Sequence, residues 1–211
     1  MRTSIVVRGL IAAAGMAMPL LGQAASSVQT GAGALTATAQ VEFQITIPQV
    51  LYLRVGTGSS YTTGVLANNA TVDVINFAPT AGQLTGAAVA GTGGDLTGGV
   101  ETAAVLGNGG TITLVATNGG AMNDGAGDTI NWSQIGTASA TNTTGTALPA
   151  PVLANNTSAT LTLNAGTKSF YEDAKWTYTY TIAAGSPPVA GTYGGAAAAN
   201  DGIVTYTASM P

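Results

Sequence analysis

The chain contains 211 residues, of which 5 are Lys or Arg, 9 are Asp or Glu, and none is Cys or His. Without His and Cys, the chain cannot form a Ser-His-Asp or Cys-His catalytic centre, or a zinc site built from nitrogen and sulfur ligands. So few basic residues cannot neutralise a phosphate backbone, which argues against nucleic-acid binding. The composition therefore predicts neither an enzyme nor a nucleic-acid-binding protein.

The first 24 residues have the layout of a secretory signal peptide. Arg2 and Arg8 supply positive charge, an apolar run extends to Leu21, and the small residues Gly22 and Ala24 favour cleavage after position 24. The apolar run is short for a hydrocarbon layer of about 30 Å, so no transmembrane segment is expected in the mature form. The protein is predicted to be exported, through the periplasm, to the cell surface or the extracellular space.

Residues 25–34 are small and polar and are predicted to form a flexible N-terminal segment. Residues 35–47 then alternate strictly between apolar and polar side chains, the pattern of an extended strand with one apolar face. Pro48 ends this strand because proline cannot donate a ladder hydrogen bond. The largest apolar side chains of the strand are Leu35, Val41, Phe43, Ile45 and Ile47.

The remainder of the chain carries short strand patterns separated by Asn/Gly and Pro turns, with no amphipathic helical period. We predict one domain over residues 35–211, an all-β sandwich or barrel. Residues 82–110 show the weakest pattern, and 138–151 is predicted to be a loop. The predicted later strands are 50–55, 71–77, 111–117, 129–132, 158–163, 175–182 and 203–209.

Several aromatic side chains alternate within or near the C-terminal strands, which favours a core face paired across strands. The alternative is a sugar-stacking platform among the aromatics of 170–180, and with it a secreted glycan-binding module. The aromatic residues predicted for the core are Trp132, Trp176, Tyr178, Tyr180 and Tyr206.

Two acidic groups are candidate sites. Asp124 and Asp128, in the stretch 123–128, offer oxygen ligands for Ca²⁺, but the motif occurs once and equally suits an Asx/Gly hairpin turn. Glu172 and Asp173 are adjacent, so on a strand they would point to opposite faces, and a solvated turn is the prediction for them. No cofactor is expected.

The C-terminal stretch contains Ala190-Gly191-Thr192-Tyr193, a turn of small residues, and then the alternating run 202–211. It resembles the closing hairpin of bacterial secreted Ig-like families, among them spore-coat-U-type and other chaperone–usher pilins and WxL-type surface domains. The chain departs from those pilins in lacking a Cys pair and in carrying the extra segment 194–200. The resemblance implies an Ig-like antiparallel β-sandwich with Greek-key connections, completed by strand exchange.

The same resemblance implies the partners: copies of this chain or related subunits, with a periplasmic chaperone and an outer-membrane assembly protein. Strand addition needs a segment whose alternate side chains fill pockets, and residues 35–47 have that alternation. An ordinary first strand of a sandwich would look the same, so both interpretations stay open. The predicted function is a structural or adhesive subunit of an extracellular fibre (fimbria- or pilus-like) or surface layer.

Overall fold

A computed structural model describes residues 26–60, 64–163 and 166–211. The predicted signal peptide, residues 1–24, lies outside this range. None of the helices among the described residues has the length and apolar character needed to cross a membrane. The chain divides into two compact units, residues Met1–Ile47 and Pro48–Pro211.

The unit Pro48–Pro211 is built from antiparallel strands, with single 3₁₀ turns as its only described helices, so the all-β prediction is confirmed. The 3₁₀ turns are Gln83–Thr85, Trp132–Gln134 and Ala198–Asn200. The described strands are β1 (Leu51–Val55), β2 (Ile75–Asn76), β3 (Ala88–Ala90), β4 (Thr92–Gly93), β5 (Val100–Gly107), β6 (Ile112–Thr117), β7 (Met122–Asn123), β8 (Thr129–Ile130), β9 (Ile135–Thr141), β10 (Leu161–Leu163), β11 (Phe170–Thr181) and β12 (Thr205–Ser209).

The larger sheet is organised around the twelve-residue strand β11. One edge of β11 pairs first with β5, Trp176 opposite Glu101, and further along with β3. Its other edge pairs with β9, and β1 lies on the far side of β5. The smaller sheet has the order β10–β6–β12, with Leu114 of β6 opposite Ala208 of β12.

One apolar core takes side chains from both sheets, as a sandwich requires. Trp176 is 0% exposed, its indole N–H donates to the Leu148 carbonyl at 2.9 Å, and its ring centroid lies 5.3 Å from that of Tyr206. The hydroxyls of Tyr178 on β11 and Tyr206 on β12 lie 2.9 Å apart and so link the two sheets. Trp132 and Tyr180 are also buried, whereas Tyr206 is half-buried against the core.

The structure differs from the strand prediction in several places. Strand β5 lies inside 82–110, which had the weakest pattern, because Glu101 to Val105 are buried on both faces and so do not alternate in polarity. Strand β9 covers part of the predicted loop 138–151. Conversely, the predicted strand 71–77 shrinks to Ile75–Asn76, and Val72 and Val74 are exposed.

The prediction of a strand over residues 35–47 is also corrected. The structure assigns no strand anywhere in 26–47, and the compact β unit begins at Pro48 rather than at residue 35. The sequence pattern specifies which side chains share a face, but a strand also needs backbone pairing with a neighbour, and the alternation alone does not supply one.

Candidate assembly surfaces and buried carboxylates

The alternating stretch 35–47 presents its large apolar side chains to solvent. Every residue of 31–47 is exposed, including the polar face of the alternating stretch. Burial of each of these side chains against a partner would contribute about 2 kcal/mol to the free energy of association. Their exposure therefore marks a surface that gains from a partner. The exposed fractions are 51% for Leu35, 76% for Val41, 87% for Phe43, 85% for Ile45 and 76% for Ile47.

Strand β12 is an edge strand with incompletely covered apolar side chains. In the described part of the chain it pairs only with β6. On β6 the inward-facing Leu114 and Ala116 are fully buried, but their partners on β12, Ala208 and Tyr206, are only half-buried. The core is therefore covered less completely at this edge than one strand further in.

Strand β1 forms the corresponding edge of the larger sheet and lies next to β12. Its Leu51 is exposed and its Leu53 is half-buried, whereas the facing Val105 on β5 is fully buried. Beside Leu51, the side-chain amide of Gln49 donates to the Pro211 carbonyl at 2.8 Å. This hydrogen bond links the start of β1 to the end of β12. The two edges thus form a seam, joined at one end, along which no ladder pairing is found in the described residues.

Asp173 is not the solvated turn residue that the sequence predicted. It lies within β11 and is 3% exposed. Its carboxylate accepts from the Asn142 side-chain amide, from the Thr143 amide and hydroxyl, and from the Thr144 amide and hydroxyl. Burial by itself would raise the pKa of Asp173, but these hydrogen bonds outweigh it and lower the pKa to about 2. Asp173 therefore anchors the loop that follows β9.

We expect Asp173→Asn to lower the free energy of unfolding by about 2 kcal/mol at pH 7, because an amide cannot replace a charged acceptor of five hydrogen bonds. The stabilisation by Asp173 is present above its ordinary pKa of 3.8 and is lost as the pH falls towards 2, so the difference from wild type should shrink over that interval. Urea unfolding at several pH values measures this. Glu172→Gln, at the adjacent half-buried position, should leave stability unchanged or slightly raised; equal losses in both variants would contradict the anchoring role.

A second group of carboxylates surrounds Gly56, at the end of β1. Glu101 is 4% exposed and accepts from the Asp95 amide at 3.2 Å. Asp95 pairs with Arg54 at 3.0 Å and accepts from the Thr102 amide, while Asp73 accepts from the amide and hydroxyl of Thr57. Gly56 has φ of 82°, and a Cβ there would overlap the Asp73 carboxylate and lie 2.7 Å from Glu101 Oε2. Only glycine fits where these side chains converge.

No sequence pattern indicates this carboxylate group, because Asp73, Asp95 and Glu101 are single acidic residues, each flanked by uncharged residues. Only the pairing of β5 with β1 and the close approach of the neighbouring turns bring them together. The sequence does carry a signal for Asp173 as a buried, hydrogen-bonded carboxylate, since a charged residue inside a long run of strand-forming residues needs partners when it is buried.

The candidate calcium site is a turn between β7 and β8. Asp124 Oδ1 accepts from the amides of Ala126, Gly127 and Asp128, at 2.8 to 3.1 Å. The hydrogen bond from the Ala126 amide is the main cause of the lowered pKa of Asp124. The carboxylate thus closes an Asx-type turn with its own backbone. Among the described residues, no three His, Cys, Asp or Glu side chains are grouped so as to hold a metal ion.

The aromatics of 170–180 occupy the domain interior more than its surface. Trp176 and Tyr178 are buried, and Phe170 and Tyr171 are half-buried, Phe170 packing against the core. A sugar-stacking platform needs exposed ring faces, so this geometry does not favour the glycan-binding alternative.

Comparison of the chain with protein-family models, with curated proteins and with solved structures found no match.

Proposed function

We propose that the protein is a structural or adhesive subunit of a bacterial extracellular fibre or surface layer, which assembles by β-strand addition between copies. The observation that carries the proposal is the exposure of the apolar face of residues 35–47. A strand with this alternation gains main-chain hydrogen bonds and pocket contacts when it joins an open sheet edge.

The seam between β12 and β1 is the edge that best suits such a strand. The half-buried Tyr206 and Ala208 on one side, and Leu51 and Leu53 on the other, would be covered by its apolar face. One copy would supply the segment and the next would supply the seam, so each addition leaves a new free segment and a new free edge. Head-to-tail contacts of this kind produce open filaments rather than closed dimers.

A polymerisation assay on the mature protein tests the proposal. We expect concentration-dependent polymers that resist SDS, seen as ladders on gels and as filaments by negative-stain microscopy. A variant lacking residues 25–40 should remain monomeric, because it has lost Leu35 and the first six of the thirteen residues of the alternating stretch. If full-length mature protein stays monomeric at high concentration, the proposal is overturned.

A direct binding experiment identifies the acceptor edge. A synthetic peptide of residues 35–47 should bind the shortened variant, and the same peptide with Phe43 and Ile45 replaced by Asp should not. Hydrogen exchange of the shortened variant should show slowed exchange in β12 or β1 when the peptide is bound. Protection confined to β9, at the opposite edge of the larger sheet, would place the acceptor there instead and contradict the seam.

A further inference from the structure

We propose that Asp73, Asp95 and Glu101 form a proton-sensitive latch, which holds the end of β1 and the turn 94–97 against β5 while Glu101 carries a proton and loosens when Glu101 ionises. The proposal concerns the stability of this corner of the domain and does not depend on how copies assemble.

Glu101 lies on the interior strand β5, opposite Trp176 of β11, and is 4% exposed. A carboxylate at such a position is costly unless a cation or several donors face it. The Asp95 amide donates to it and its carboxyl hydrogen-bonds the Asp95 side chain, while Arg54 is paired with Asp95 instead. Glu101 thus lacks the compensation that Asp173 has in its five donors.

The titratable groups that act on Glu101 or feel its charge are the carboxyls of Asp73 and Asp95 and the hydroxyls of Tyr178 and Tyr206. Burial raises the pKa of both tyrosines, that of Tyr206 to about 12, so they stay neutral across the physiological range. The ionisation of Glu101 therefore adds a further negative charge to a group that already holds two carboxyls and a single Arg.

Burial is the main cause that raises the pKa of Glu101 from its ordinary 4.5 to about 7, and repulsion from Asp73 and Asp95 adds to it. The folded domain therefore binds this proton more tightly than the unfolded chain. The corresponding stability is complete below pH 4.5 and is lost as the pH rises through about 7.

The carboxyls of Asp73, Asp95 and Glu101 hold neighbouring stretches of backbone in place. Thr57 donates to Asp73, Thr102 donates to Asp95 at 2.7 Å, and the Gly56 amide donates to the Thr102 carbonyl at 2.8 Å. The three carboxyls therefore hold the end of β1 and the turn before β5 through backbone amides. Repulsion among them acts directly on these hydrogen bonds.

Hydrogen exchange between pH 5 and pH 8, corrected for the intrinsic rate at each pH, tests the latch on the full mature chain. In wild type, protection of peptides covering 54–58 and 94–102 should fall by about tenfold or more over this interval, while β6 serves as the internal reference. Glu101→Gln, which cannot ionise, should abolish the pH dependence. Glu42→Gln, the same change at an exposed position, should behave as wild type.

Asp73→Asn provides a second variant that keeps Glu101 itself intact. Removing one neighbouring negative charge should move the midpoint of the transition to lower pH than in wild type. A flat pH profile in wild type, or a profile that persists in Glu101→Gln, would overturn the proposal.

Discussion

Replacing Trp176 with Ala should lower the free energy of unfolding by about 4 kcal/mol, the largest loss expected from any single change in the core. The side chain is fully buried on the central strand β11. Its removal leaves a large cavity between the sheets, deprives the Leu148 carbonyl of the indole donor, and removes the ring that packs on Tyr206. A loss of this size would unfold a large fraction of a marginally stable domain.

Urea unfolding followed by fluorescence or circular dichroism measures this difference, with Lys175→Ala as the matched control. Lys175 is the preceding residue on the same strand and is exposed, so its truncation should change stability by no more than about 0.5 kcal/mol. A comparable loss in both variants would show that the strand, rather than the indole, is sensitive to change. A loss below about 1 kcal/mol for Trp176→Ala would contradict its central place in the core.

The sequence predicted the fold best where one face of a strand is buried and the other is wet. Strand β6 is such a case: its buried and half-buried residues alternate from Ile112 to Thr117, and it was found almost to the residue. Strand β5 is the opposite case, because its residues from Glu101 to Val105 are buried on both faces and include small and polar side chains. Its place in the sheet depends on β1 and β11 on either side, which is information that no window of eight residues contains.

The candidate sites also differ in how far the sequence predicts them. The alternating stretch 35–47 is visible in the sequence because a strand that will be covered on one face needs that pattern, whichever chain covers it. The cluster of carboxyls around Gly56, formed by Asp73, Asp95 and Glu101, could not be recognised in the sequence. Its members lie 22 and 6 residues apart in the chain and converge only through strand pairing. The sequence could also not tell a paired first strand from an unpaired segment, because both require identical alternation.

The proposed polymerisation should be lost when the apolar face of residues 35–47 alone is changed. In the double variant Phe43→Asp with Ile45→Asp, two side chains that are 87% and 85% exposed in the monomer become charged. Burial of the original pair at a sheet edge would contribute about 4 kcal/mol, which corresponds to about a thousandfold in affinity. Burying two carboxylates instead would oppose binding, so SDS-resistant polymers should disappear at concentrations where wild type forms them.

The matched control places the same two charges on the other face, as Gln44→Asp with Thr46→Asp. Both variants gain the same net charge within the same four residues, so they differ only in the face that carries it. In a strand that joins a sheet edge, the polar face stays in solvent, and this control should still polymerise. Loss of polymers in both variants would attribute assembly to charge or to the general stickiness of the segment. Retention in both would show that the apolar face of residues 35–47 takes no part in assembly. Loss confined to Phe43→Asp with Ile45→Asp is the result that strand addition predicts, because neighbouring positions of a strand face opposite sides.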